Sequence, residues 1–156
     1  MRRLLTACLL PVMLLSACVV VPLPQSGTGG EPVQFLEDPS GAQLNALRQQ
    51  QGLAALSYSP VLEKVAQGHA SDMARMDKLT HTGSDGSQIG DRVKRSGYNM
   101  RRAAENVALN GGGLDGAMQG WINSPPHLAN MLKPDVSEYG IARSGNYWVM
   151  VLARTK

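Results

Sequence analysis

Apolar residues recur at intervals of three and four along one long stretch of the chain. The stretch begins at Ser59-Pro60, a pair typical of a helix N-terminus, and extends to about residue 78. Its apolar positions are Leu62, Val65, Ala66, His69, Met73 and Met76. They predict one long amphipathic helix. His69 lies on its apolar face, where a histidine is more often a hydrogen-bonded packing residue than a ligand.

Shorter patterns predict the remaining elements. Helical spacing begins at residue 42, recurs at Ile89 and Val93 up to about Gly97, and returns over residues 114–123. Residues 103–109 predict a short buried strand. The apolar runs 138–142 and 147–153 flank Arg143-Ser144-Gly145-Asn146 and predict a hairpin. Helices first and strands late indicate an α+β fold.

The segment WINSPPHLANML, residues 121–132, combines an indole, a helix end, a helix start and a histidine. The Ser124 hydroxyl can cap the new helix, and Pro125 and Pro126 suit its first turn. His127 then lies near the positive end of the helix dipole, which favours the neutral imidazole that binds metal or accepts a proton. The alternative is a capping turn with an incidental histidine.

Two further titratable residues, His81 and Glu105, are candidate site residues. His81 falls in the polar, glycine-containing loop of residues 80–87, and Glu105 is the one carboxylate within the predicted strand 103–109. An unpaired buried carboxylate is costly, so Glu105 is expected to have a partner.

A basic cluster surrounds the short helix of Ile89 and Val93. Its members are Arg92, Lys94, Arg95, Arg101 and Arg102. The cluster is either a solvated face or a contact patch for anionic lipid or cell-wall groups.

The N-terminus has the layout of a secretory signal peptide, with Arg2 and Arg3 before an apolar run. The run ends in Leu-Ser-Ala-Cys, which resembles the bacterial lipobox, whose cysteine is lipidated and becomes the mature N-terminus. Residues 1–17 are therefore expected to be the signal peptide, and residues 18–40, rich in Pro and Gly, a tether from a lipidated Cys18. Residues 41–156 form the domain. The alternative is an ordinary signal peptide cut near Ala17.

Length, charge and cysteine content limit the classes of function that this chain can have. The chain has 156 residues, 43% of them hydrophobic, which suits one domain with a real core. Removal of Arg2 and Arg3 from its 15 basic side chains leaves 13 against 12 acidic ones, a balance that argues against nucleic-acid binding. Both cysteines, Cys8 and Cys18, precede the domain, which excludes disulfides and zinc-thiolate sites within it.

His81 in KLTHTGSDGS, Glu105 in AENVA and His127 in WINSPPHLANML together resemble the CAP superfamily of cysteine-rich secretory protein, antigen 5 and pathogenesis-related 1 proteins, also called SCP domains. The resemblance covers about residues 42–154 and is closest to short bacterial members that lack disulfides. It implies an α-β-α sandwich, with a small antiparallel sheet between helical layers and a cleft of two histidines and two acids. His81, Glu105 and His127 match three of those positions. The fourth, an acid after the tryptophan, is replaced by Ser124 or a neighbour.

Three functions remain open on this basis. One is a non-catalytic envelope module that binds a lipid, sterol-like molecule, peptide or glycan in the cleft. Another is a metal-dependent hydrolase of envelope peptides or glycans, and the third is a purely structural lipoprotein with neither ligand nor metal. In the first two cases His81 and His127 are expected to bind a divalent metal such as Zn²⁺, with Glu105 as third ligand or as hydrogen-bond partner. By resemblance, Val19 after the lipidated Cys18 indicates the outer membrane, facing the periplasm.

Overall fold

The computed structural model describes residues 39–156, which form five helices and four strands. The helices are α1 (Pro39–Gln50), α2 (Pro60–Met76), α3 (Ile89–Arg95), α4 (Gly113–Ile122) and α5 (Pro125–Met131). The strands are β1 (Ser57–Tyr58), β2 (Met100–Leu109), β3 (Glu138–Ser144) and β4 (Tyr147–Thr155). The predicted signal peptide, the predicted lipidation site Cys18 and most of the predicted tether lie outside the described residues. Within residues 39–156, no helix is long and apolar enough to cross a membrane.

The four strands form one mixed sheet in the order β1-β3-β4-β2. The predicted hairpin is confirmed: β3 and β4 pair in antiparallel register up to Ser144 and Tyr147, and Gly145 takes the left-handed conformation that the tight turn needs (φ 57°). Strand β1 pairs in parallel with β3 and was not predicted. Two residues are too few to show a period, and only the sheet edge makes them a strand.

Side chains of β4 alternate between the two faces of the sheet and so build two cores. Trp148, Met150 and Leu152 pack into a cluster that includes residues of α1, α4 and α5. Val149 and Val151 pack on the other face with residues of α2 and α3. The sheet therefore lies between two helical layers, which confirms the expected α+β class and its α-β-α sandwich.

The long helix α2 is confirmed. Its predicted stripe is buried except for Met76, which is half-buried in the last turn, and Asp77 ends the helix in the left-handed conformation (φ 49°).

The start of α5 is confirmed in part. Ser124 is the N-cap residue and Pro125 and Pro126 occupy the first turn, but the Ser124 side chain makes no capping hydrogen bond, so that expectation is wrong. A cap hydroxyl accepts from the second or third helical N–H; Pro126 at the second position has none, and the Ser124 hydroxyl does not accept from His127 at the third.

Strand β2 is an edge strand whose outward carbonyls are covered by side chains of the α4–α5 layer. Trp121 Nε1–H donates to the Val107 carbonyl at 3.2 Å, and Asn130 Nδ2 donates to the Glu105 carbonyl at 3.2 Å. These bonds satisfy backbone groups that an edge strand otherwise leaves exposed. Trp121 is only 1% exposed, so the expectation that it packs its helix against the sheet is confirmed.

Candidate functional site

Glu105 is the centre of a hydrogen-bonded cluster at the β2 edge. Its side chain, on the sheet face that carries α2 and α3, is only 2% exposed. Oε1 accepts from His81 Nδ1 at 2.9 Å, and Oε2 accepts from Arg92 Nη2 at 2.7 Å. The partner that a buried carboxylate requires is therefore supplied twice, by a guanidinium and by an imidazole.

Arg92 is the site residue that sequence reasoning missed. Its side chain is 10% exposed, and besides Glu105 it contacts the carbonyls of Ser87 (2.7 Å from Nη1) and His81 (3.2 Å from Nη2). It therefore belongs neither to a solvated face nor to a surface contact patch, the two interpretations given for the basic cluster. One signal was present: Arg92 lies three residues after Ile89 and next to Val93, on the inward side of α3.

His69 approaches the same carboxylate from α2. It is 1% exposed, Nε2–H donates to the Thr80 carbonyl at 2.8 Å, and Nε2 lies 3.9 Å from Glu105 Oε1. Burial lowers the pKa of His69 despite the nearby carboxylate, so the neutral form is favoured at neutral pH. The predicted packing role is confirmed, while its position beside Glu105 came only from the fold.

His81 and His127 have opposite electrostatic settings. His81 lies in the loop after α2, its side chain is 54% exposed, and the hydrogen bond to Glu105 raises its pKa. Burial lowers the pKa of His127, and the nearby charge of His81 lowers it further. The neutral form predicted for His127 is thus favoured, with burial as the larger of the two causes.

His127 is held in place through its backbone. Its carbonyl accepts a hydrogen bond from Asn106 Nδ2 at 3.0 Å, and Asn106 Oδ1 accepts from Asn130 Nδ2 at 3.0 Å. Asn106, adjacent to Glu105, points to the opposite face of β2. Glu105 thus holds the His81 side chain on one face of β2, and the adjacent Asn106 holds the His127 backbone on the other face.

Comparison with known proteins assigns the family. The sequence model of the CAP family, described as "Cysteine-rich secretory protein family", matches residues 42–152. The chain belongs to the CAP family. This membership confirms the resemblance read from His81, Glu105 and His127, as well as the sandwich it implied.

Similar proteins are bacterial. The CAP domain is 29% identical over 104 residues to the uncharacterized membrane protein YlbC and 30% identical over 106 residues to the uncharacterized protein YkwD, both of Bacillus subtilis. Each match covers 67% of this chain, but only 30% and 41% of those relatives. The chain thus spans well under half the length of these curated relatives.

Solved structures share the fold. An extracellular protein with an SCP domain from Bacillus anthracis superposes with a TM-score of 0.72 at 26% identity, covering 74% of this chain and 39% of that one. An outer surface protein from Borrelia burgdorferi superposes with a TM-score of 0.67 at 24% identity, covering 74% of this chain and 89% of that one. At that identity the second match shows the fold alone.

Of the three predicted metal ligands, only the two histidines have a nitrogen left to bind a metal. Among residues 39–156, no group of three or more His, Cys, Asp or Glu side chains is arranged to hold a metal ion. Both oxygens of Glu105 are already bound to Arg92 and His81. His127 Nδ1, however, is buried without a hydrogen-bond partner in this part of the chain, and Glu105 orients His81 as carboxylates orient ligating histidines. Of the two roles left open for Glu105, the geometry favours the hydrogen-bond partner.

Proposed function

We propose that this chain is a lipid-anchored cell-envelope CAP protein that binds a ligand in the cleft of His81 and His127 without chemical turnover. The observation that carries the proposal is the state of Glu105. Its two oxygens are occupied by His81 and Arg92, and its side chain is 2% exposed. A carboxylate that is hydrogen-bonded through both oxygens and almost fully buried supports the shape of the site and is not accessible to a substrate.

Hydrolysis needs a group that activates water or attacks the substrate. Glu105 is engaged, and no other Asp or Glu occurs between Asp115 and Asp135 to replace the acid missing after Trp121. The metal-dependent hydrolase remains the second candidate, favoured by one observation. Two imidazoles with a carboxylate behind one of them resemble the donor arrangement of catalytic zinc sites.

In either case the two histidines supply the binding groups. His127 favours the neutral form, and Nδ1 of His81 donates to Glu105, which leaves its Nε2 for a ligand or a metal. His81 and His127 would hold a divalent ion such as zinc, which would supply Lewis-acid polarisation of an oxygen of a bound lipid, peptide or glycan. With only two protein ligands we expect a weak site that chelators empty.

The cellular location is proposed from the sequence and from the names of relatives. One relative is called a membrane protein, and one structural neighbour is called an extracellular protein. The signal-like segment ending at Cys18 supports the same side of the membrane, with the outer membrane as its destination. Two or more acyl chains on Cys18 would make the attachment stable.

Calorimetric titration of zinc into the detergent-solubilised full chain tests the metal. We expect one weak site at neutral pH, lost in His81→Gln and in His127→Gln and unchanged in the exposed control Lys78→Gln. Binding should weaken as pH falls, because protonated imidazole binds no metal. If the wild type shows no site, or both histidine variants bind like the wild type, the metal is removed from the proposal.

Incubation of the full chain with envelope extract, followed by mass spectrometry of bound and free species, tests binding against turnover. We expect a molecule that co-purifies unchanged with the wild type and is lost with His127→Gln. Newly cleaved products that disappear with Glu105→Gln would instead establish the hydrolase.

A further inference from the structure

A groove lies between α2, the loop of residues 84–87 and α3. Its volume is about 450 Å³, and a depression of about 310 Å³ that shares Gly68, His69, Arg92 and Arg95 extends it towards Lys64 and Ser96. Small-molecule sites commonly measure roughly 300–1,000 Å³. We call this feature the α2–α3 groove. His81, Glu105 and His127 do not line it, although His69 and Arg92, which approach Glu105, do.

Four cationic side chains and two carboxylates, Asp72 and Asp85, line the walls of the α2–α3 groove. Arg75 projects from α2 and Arg95 from α3, with Arg92 between them and Lys64 at the extended end. Lys64 makes no ion pair within residues 39–156, so the groove has a surplus positive charge. Guanidinium groups bind carboxylate and phosphate through paired hydrogen bonds, which makes arginine the preferred residue for planar oxyanions.

Each of the two outer arginines pairs with an aspartate, Arg75 with Asp72 and Arg95 with Asp85. The Arg95–Asp85 pair is exposed on both sides, with side chains 58% and 49% exposed, whereas Asp72 is only 16% exposed. Exposed ion pairs contribute little stability, so a bound oxyanion can replace Asp85 beside Arg95 at small cost. Hydrogen bonds from Ser84 hold Asp72 in place and keep the pKa of that carboxyl below its usual range.

Two buried polar atoms of groove residues also lack partners. Arg92 Nε and His69 Nδ1 make no hydrogen bond within the described part of the chain, although both side chains are at least nine-tenths buried. Unsatisfied buried polar atoms are rare and often indicate that water or a bound group completes the network. Their presence beneath a cationic groove indicates a polar occupant rather than an apolar one.

We propose that the α2–α3 groove is a second binding site, for the carboxylate or phosphate group of a small molecule, with Arg75 and Arg95 holding the oxyanion from opposite walls. The site does not depend on the function proposed for the histidine cleft. The Ser71 hydroxyl lines the same groove and supplies a further donor.

Gly68 allows the groove to be filled without disturbing the fold. A Cβ added at Gly68 meets nothing within 4 Å, and leucine favours a helix over glycine. Gly68→Leu therefore places an apolar side chain in the groove, while Gly120→Leu in α4, where an added Cβ also meets nothing within 4 Å, is the matched control.

Arg95 allows the charge to be tested in the same way. Its pair with Asp85 measures 2.7 Å, with side chains 58% and 49% exposed; the Arg102–Asp135 pair also measures 2.7 Å, with side chains 58% and 42% exposed. Arg95→Gln removes a cation from the groove, and Arg102→Gln removes an equivalent cation elsewhere.

The experiment follows backbone amide NMR shifts of the detergent-solubilised full chain during titration with inorganic phosphate or with acetate, against chloride at equal ionic strength. We expect saturable shifts at Gly68, Ser84 and Ser96, with binding at least about tenfold weaker in Gly68→Leu and in Arg95→Gln and unchanged in both controls. Saturation by one probe alone identifies the oxyanion as phosphate or carboxylate. Shifts that do not saturate with either probe, or equal affinities in wild type and both groove variants, would overturn the proposal.

Discussion

Replacement of Arg92 by methionine is the sharpest test of the cluster around Glu105. Methionine keeps most of the side-chain volume and removes the charge together with hydrogen bonds to Glu105 (2.7 Å), the Ser87 carbonyl (2.7 Å) and the His81 carbonyl (3.2 Å). Glu105 then stays buried with His81 as its one remaining partner from this cluster. The loop that carries His81 also loses its hydrogen bonds to Arg92 of α3, while the Arg95–Asp85 pair remains.

The expected cost follows from burial. Removing one partner of a buried ion pair typically costs about 3–5 kcal/mol, because the other charge is left without compensation. An exposed pair of the same length contributes about 0–1 kcal/mol. Arg102 and Asp135 form such a pair, also 2.7 Å long but with side chains 58% and 42% exposed. Arg102→Met is therefore the matched control, equal in chemistry and distance and different in burial.

Urea denaturation of both variants at neutral pH gives the free energies of unfolding. We expect Arg92→Met to lose about 3–5 kcal/mol and Arg102→Met less than about 1 kcal/mol. The double variant Arg92→Met/Glu105→Gln should recover part of the loss, because it removes both charges together. The pKa of His81 should rise in Arg92→Met, since the Arg92 charge lowers it in the wild type.

Equal losses in Arg92→Met and Arg102→Met would refute the reasoning, because burial would then not decide the strength of the pair. A double variant less stable than Arg92→Met would likewise show that Glu105 is stabilised by contacts other than Arg92.

Three other predictions follow from the described contacts and the N-terminal sequence. Trp121→Ala should cost about 3–5 kcal/mol in thermal or urea unfolding; unchanged stability would contradict the packing of its indole. Imidazole NMR should show His81 titrating above 6.5 and His69 and His127 titrating below it. The contribution of His81 to stability is lost as pH rises through its folded pKa, while the contributions of His69 and His127 are lost as pH falls through theirs. A reversed order of the pKa values would contradict the burial argument. Cys18→Ser should accumulate unlipidated precursor in a lipid-labelling assay, and normal maturation would exclude the lipobox.

The sequence alone determined those structural features that depend on residues close together along the chain. The stripe of α2, the prolines that start α5 and the alternation around Gly145 each follow from local spacing, so helix, helix start and hairpin were all predictable. Three motifs carried the family resemblance. They supplied His81, Glu105 and His127, although the chain by itself showed no reason for these three to meet.

Only the tertiary structure decided how the site is held together. Arg92 is separated from Glu105 by 13 positions and lies on a helix whose sequence indicates a basic surface. Only the packing of that helix against β2 brings Arg92 to Glu105. The sequence predicts that His69 belongs to the core, and the structure confirms it. Its distance to Glu105, however, depends on how α2 crosses the sheet. Trp121 and Asn130 cover the β2 edge because β2 ends up outermost, which local spacing does not encode. Local periodicity selects the elements, whereas the pairing of buried charges depends on which faces of distant elements meet.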